Sequence, residues 1–195
     1  KRAKKEKRNW LQVVKLNTRK FLEDMNWLYN TQPDFYTRAA DHIKEMIESI
    51  KKLLQKKAAY EKAGSVYFHV SADKDYGKLS KLTRKGMLPI ANERGNNPKD
   101  SNKLNPLDFV LWQAKKPGEP AWLSPWGWGR PGWHIECTAM ATKYLGDAFT
   151  IQGGGSDLIF PHQANGRMTD AFERPLRALG FRGYISRTIE KYGNT

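Results

Sequence analysis

Pro125–Cys137 reads PWGWGRPGWHIEC, and Ile151–Asn165 reads IQGGGSDLIFPHQAN. The first string crowds tryptophan, proline and glycine together, and then runs into His134–Leu145, whose pattern predicts a helix. Proline fixes φ and tryptophan supplies large packing area, so Pro117–Trp133 is expected to be an ordered loop. The second string holds Gly153, Gly154 and Gly155, a turn whose bare backbone lets a ligand approach closely. A strand is expected just before it, at Ala148–Gln152 (AFTIQ). Upstream, Asn105–Lys115 (NPLDFVLWQAK) places Leu107, Val110, Leu111 and Ala114 at helical spacing.

Further out, the clearest periodicity is Ile43, Met46, Ile47, Ile50, Leu53 and Leu54, one apolar face of a helix over Thr37–Lys57. Its other face carries Lys44, Lys51, Lys52, Gln55 and Lys56. Leu16–Met25 predicts a short helix, Asn26–Asn30 (NWLYN) a brief strand, Ser65–Val70 (SVYFHV) a strand, and Asp170–Leu179 a helix. Ser71–Asn105 is polar and rich in glycine, proline and asparagine, and is expected to form an extended surface insertion.

The chain has 195 residues, 39% of them hydrophobic and 12% aromatic, which is enough to pack a core and excludes disordered and collagenous classes. No apolar run approaches the roughly 20 residues of a bilayer span, so no membrane partner is expected. One cysteine, Cys137, excludes an internal disulfide framework and fits a reducing compartment. Thirty-four Lys and Arg against 20 Asp and Glu leave a net charge of +14. A field of that sign attracts polyanions, and RNA is the expected partner. Lys1, Arg2, Lys4, Lys5, Lys7 and Arg8 form a block of like charge, expected to be an extended or fraying arm that follows phosphates.

Taken together, NPLDFVLWQAK, PWGWGRPGWHIEC and IQGGGSDLIFPHQAN resemble cysteinyl-tRNA synthetase, a class I aminoacyl-tRNA synthetase, over roughly Leu16 to Asn165. A related cysteine-ligating enzyme of thiol biosynthesis shares part of the pattern. The resemblance implies an α/β fold: part of a Rossmann-like class I catalytic domain, with a parallel nucleotide-binding sheet and a connective insertion. It divides the chain into a basic arm (1–15), a helical remnant of the first half of the nucleotide-binding fold (16–62), the insertion (63–122) and the second half (123–195). It also implies a substrate pocket made by Trp133, Gln152, Gly153, Gly154, Gly155 and Asp157. Cys137 and His162 fall where the family has zinc ligands, and a zinc–thiolate bond would separate cysteine from serine. By their own pattern Cys137 also reads as a small core residue, His162 as a cap or packing residue, and His134 and Glu136 as structural.

Several departures from the family pattern point away from catalysis. The family's first zinc-ligand cysteine and its His-Ile-Gly-His signature lie upstream of anything present here. FPHQANG replaces Phe-Pro-His-His-Glu-Asn-Glu, so Gly166 stands where the fourth zinc ligand should be. Gln152 replaces a histidine, and Ile189–Thr195 (IEKYGNT) is at most an echo of Lys-Met-Ser-Lys-Ser. The sequence alone therefore favours a protein that has lost its catalytic motifs. It would serve as an RNA-bound structural subunit of a large assembly, a divergent mitochondrial or other organellar ribosome fitting best, with rRNA and other protein subunits as partners and no cofactor. The alternative is a fragment or split subunit of an active cysteine–tRNA ligase, cytoplasmic or organellar, in which zinc, ATP and tRNA are used. A tRNA-binding regulatory module without catalysis is a third reading.

Overall fold

The computed structural model describes residues 2–165 except Lys74, Arg94, Asp147, Ala148, Thr150 and Gln152. The chain divides into two compact units on either side of the Thr37–Arg38 bond.

In the first unit the basic block is not extended. Arg2–Lys5 forms a short helix, α1, because Glu6 sits between two cations: it is 2.7 Å from Arg2 and 3.9 Å from Arg8. The helix expected over Leu16–Met25 runs from Trp10 to Trp27 (α2). It begins earlier because Asn9 caps it: the Asn9 side chain accepts from the Leu11 N–H, and Gln12 reaches back to the Asn9 N–H. The strand expected at Asn26–Asn30 is absent. Asn26 and Trp27 close α2, and the Tyr29 and Asn30 N–H groups bond back to the carbonyls of Asn26 and Met25.

The second unit is built on a five-stranded sheet of order β1-β2-β3-β5-β4. Ala59–Lys62 (β1) and Ser65–Phe68 (β2) make a hairpin through Ala63 and Gly64, both at positive φ, as a two-residue turn with right-handed strand twist requires. Phe109–Ala114 is a central strand, β3, and not the helix its spacing suggested. A short run apolar on every side cannot be assigned by period alone, and pairing with β2 and β5 satisfies both its edges. The tryptophan-rich loop is a hairpin of Trp122–Ser124 (β4) and Gly127–Pro131 (β5). The Ser124 hydroxyl tightens its turn by donating to the Gly127 carbonyl at 2.6 Å. Every strand pair is antiparallel, so the described residues contain no parallel pair.

Ile43–Gln55 (α3) buries Met46, Ile50 and Leu53, the predicted face, against this sheet. Trp133–Leu145 (α5), predicted within a residue, adds Ile135 and Ala139 to the same core. The stretch expected to be a surface insertion instead contributes Arg84–Glu93 (α4), whose Met87 and Ala91 are buried, together with buried Tyr76. Asp108 ties the insertion to the sheet: fully buried, it accepts from the Tyr60 hydroxyl at 2.8 Å and from the backbone N–H groups of Val70 and Asn105. His42 and Tyr144 join α3 to α5 at 2.9 Å. The helix expected at Asp170–Leu179 and most of the strand expected at Ala148–Gln152 lie outside the described residues. No helix among the described residues is long and apolar enough to cross a membrane.

Gly132 makes the tightest junction. Its N–H donates to the Leu111 carbonyl at 2.8 Å, and a Cβ at this position would lie 2.0 Å from the Val110 carbonyl oxygen. Gly132→Ala must push β3 away from the start of α5, so a loss of about 3 kcal/mol is expected in urea denaturation. A change within 0.5 kcal/mol would contradict the packing described. A second prediction concerns Lys103, which donates to the Asn96 carbonyl and whose pKa burial lowers to about 8, against the pull of Asp100 and Asp108. Between about pH 8 and the unfolded value the unfolded chain binds more protons, so stability should rise with pH across pH 8 to 9.5. Lys103→Met should flatten that rise in denaturation curves.

Candidate functional site

The Gly132 junction ends β5 and starts α5, so the first residues of the helix project over β3. Trp133 is half-exposed there, and its ring stacks on His162 with centroids 4.1 Å apart and planes within 18°. His134, next in the helix, packs edge-on against Phe109 of β3 at 5.2 Å. His162 comes from the turn Ile159–Gln163, which is broken at Phe160, where the backbone is extended. Phe160 and Pro161 bring that turn beneath Trp133, and Phe160 packs against Tyr76.

These rings are joined by a chain of polar contacts. The Tyr76 hydroxyl donates to Asn165 Oδ1 at 2.9 Å, and Asn165 Nδ2 lies 3.1 Å from His134 Nε2. His134 Nδ1 lies 3.0 Å from His162 Nδ1. An amide nitrogen only donates, so His134 accepts at Nε2, carries its proton on Nδ1 and passes that hydrogen bond to His162. Burial, with His162 adding to it, pushes the His134 pKa down to about 3, and burial lowers that of His162 as well. The pair is therefore neutral at physiological pH. Nearby, burial pushes Glu136 up to about 7, against the pull of Arg130.

A cavity of about 160 Å³ opens beside the rings, lined by Phe109, Gln113, Arg130, Trp133, His134 and Pro161 among others. Of the residues the sequence singled out for a pocket, the structure brings Trp133 and His162 together. Gly153, Gly154, Gly155 and Asp157 lie on the exposed stretch before the Ile159 turn, and a Cβ on Gly155 would collide with the Asp157 carboxylate at 2.4 Å. That oxygen is the tip of an exposed side chain that can turn aside, and Gly155 has φ −63°, so its own loop does not demand glycine. Gln152 and Gly166 are outside the described residues. Cys137 is exposed and so is not the core residue it resembled; crowding of its thiol and the Glu136 carboxylate raise its pKa. His162 is buried and packed, while His134, read from sequence as structural, is the hub. Nothing in the sequence marked Asn165 or Tyr76, whose partners lie 31 and 89 residues away from them.

Cys137 and His162 supply two donors, half of a tetrahedral zinc shell. His162 already spends Nδ1 on His134, and no group of three or more His, Cys, Asp or Glu placed to hold a metal occurs among the described residues. The described residues by themselves do not fit a zinc site. Of the arm residues, Arg2 is paired with Glu6; Arg2, Lys5, Lys7 and Arg8 are exposed, Lys4 lies within α1, and Lys1 is outside the described residues.

Residues 1–176 match the family described as tRNA synthetases class I (C) catalytic domain. Over 146 residues, 74% of this chain and 30% of the relative, the sequence is 54% identical to cysteine–tRNA ligase of Thermococcus kodakarensis. Over 168 residues, 84% of this chain and 34% of the relative, it is 49% identical to cysteine–tRNA ligase of Thermodesulfovibrio yellowstonii. It is also 45% identical over 161 residues to the L-cysteine:1D-myo-inositol 2-amino-2-deoxy-alpha-D-glucopyranoside ligase of Thermomonospora curvata, covering 83% of this chain and 39% of that one. The chain thus spans about a third of the length of the curated relatives it matches. The pocket-bearing strings that carried the resemblance lie inside the matched region, and the chain belongs to the class I cysteinyl-tRNA synthetase catalytic-domain family.

Proposed function

We propose that this chain is a cysteine–tRNA ligase-like, tRNA-binding protein that keeps the cysteine-facing wall of the pocket and does not by itself activate cysteine. The observation that supports it is the Trp133–His162 stack, held from below by His134, Asn165 and Tyr76 beside a small cavity. A neutral, rigid, half-apolar wall suits a small amino acid. It does not supply the cationic donors that adenylate formation needs on a phosphate, each worth about 3 kcal/mol of transition-state stabilisation. Zinc and ATP enter this reading only where further residues, in a longer protein or on a partner chain, complete the metal shell and grip the triphosphate. With a net charge of +14 the chain attracts tRNA through its phosphates.

A second reading is favoured by Gly166, which has no side chain to offer as a ligand where the family has glutamate. In it the chain has lost catalysis altogether and is a structural subunit on rRNA, in a mitochondrial or other organellar ribosome, among other protein subunits. Lys1–Arg8 and the lysine-bearing face of α3 would then lie along phosphates.

Two measurements separate these readings. In filter binding the 195-residue chain should hold tRNA at about micromolar affinity and lose it steeply as salt rises. It should show no cysteine-dependent ATP–pyrophosphate exchange with or without added zinc; exchange by the chain alone would contradict the proposal. In a sedimentation profile of native extract, migration free of ribosomal particles at physiological salt would exclude the second reading, and co-migration with rRNA would favour it over the first.

A further inference from the structure

The polar contacts beneath Trp133 run in one direction, and that direction fixes what His162 offers a ligand. Asn165 Nδ2 is an amide nitrogen and only donates, so His134 Nε2, 3.1 Å away, holds a lone pair. An imidazole with one free lone pair carries a single proton, and that of His134 is therefore on Nδ1. It lies on the 3.0 Å contact with His162 Nδ1, which must accept. The proton of His162 is left on Nε2. The order is set at the far end of the relay, where the Tyr76 hydroxyl donates to Asn165 Oδ1 at 2.9 Å and keeps the amide nitrogen toward His134.

His162 is nine-tenths buried, and among the described residues no hydrogen bond reaches its Nε2. That atom is not sealed, since Trp112 Nε1 is the one buried side-chain polar atom without a partner among the described residues. Trp133, stacked on the His162 ring at 4.1 Å, and Pro161, its chain neighbour, both line the cavity. Arg130 lines it as well, and its Nε is spent on Glu119 at 2.9 Å while its other guanidinium nitrogens still carry donors. A metal takes an imidazole through a lone pair, and the lone pair of His162, on Nδ1, already accepts from His134. What the open nitrogen can give is a hydrogen bond. A carboxylate oxygen near a guanidinium is the acceptor that suits it, and a sulfur is a weak one.

We propose that His162 is a fixed hydrogen-bond donor that takes the carboxylate of a small amino acid at Nε2, where the family carries a zinc ligand, so that the wall reads an oxygen and does not separate cysteine from serine. Tyr76 is the positioning residue: it acts through Asn165 and His134 by holding the relay in the sense that leaves the proton on Nε2. The proposal rests on the reading of the chain as keeping an amino-acid-facing wall, and adds which group of the amino acid that wall meets.

The test uses the whole 195-residue chain with nitrogen-labelled histidine, whose spectra report the ring nitrogen that bears the proton. In the free chain the His162 proton should be on Nε2. L-serine and L-cysteine should shift that signal with affinities within about threefold of each other, and each about tenfold tighter than cysteamine, which keeps the thiol and amine but lacks the carboxylate. Equimolar zinc should change neither the tautomer nor these ratios. Tyr76→Phe keeps the ring against Phe160 and removes only the hydroxyl, so it should mix the two His162 tautomers and weaken serine binding about fivefold. Should that variant lose its fold by circular dichroism, the wild-type tautomer and the three ligands decide. A proton on His162 Nδ1, cysteamine bound as tightly as cysteine, or a tenfold preference for cysteine over serine overturns this proposal alone. No shift with any of the three compounds overturns the amino-acid-facing wall with it.

Discussion

The backbone contact of Gly132 with β3 is the constraint on which the site depends. Because the Gly132 N–H bonds to Leu111 O and no side chain intervenes, β5 can pass directly into α5 while still seated on its neighbour. That places Trp133 and His134 at the first turn of a helix lying over Phe109. A junction even a methyl group wider would lift both rings from β3 and separate them from the Ile159 turn, and the neutral histidine pair would lose its partner.

The second constraint is polar. A neutral imidazole packed against Phe109 and Trp133 is tolerable only when each ring nitrogen is paired. Asn165 and Tyr76 meet that need at one end and His162 at the other. The insertion therefore has a role beyond connection: Tyr76 comes from it, Asp108 anchors it, and Met87 and Ala91 close the core beneath it. Side chains held this way keep their geometry without a bound ligand.

How much of this was legible depended on the range of each interaction. α3 and α5 could be read because their burial repeats along a single helix, and Ile50 or Leu53 needs no knowledge of the sheet to be placed inward. β3 could not: FVLW is apolar at every position, and only its two strand partners decide between helix and strand. The Trp122–Pro131 hairpin was hidden because glycine and proline, which signal loops, stand inside it and outweigh its strand-favouring tryptophans. In the site, Trp133, Cys137 and His162 were legible from local strings, but only Trp133 and His162 are brought together in the described residues. The roles of His134 and Asn165 arise from contacts across 28 and 31 residues, which no spacing rule encodes. The arm was read as extended or fraying because its net positive charge outweighs one acid, whereas in the fold Glu6 reaches both Arg2 and Arg8 locally.

The most direct test of the central claim, that the α5 junction holds a fixed aromatic and imidazole wall, is a nitrogen-resolved histidine spectrum of the chain at neutral pH, with proton contacts to the Trp133 indole. The account predicts a single tautomer for His134 with its proton on Nδ1, and cross-peaks between the Trp133 and His162 rings. Averaged tautomers on both histidines, with no contact between the Trp133 and His162 rings, would contradict it.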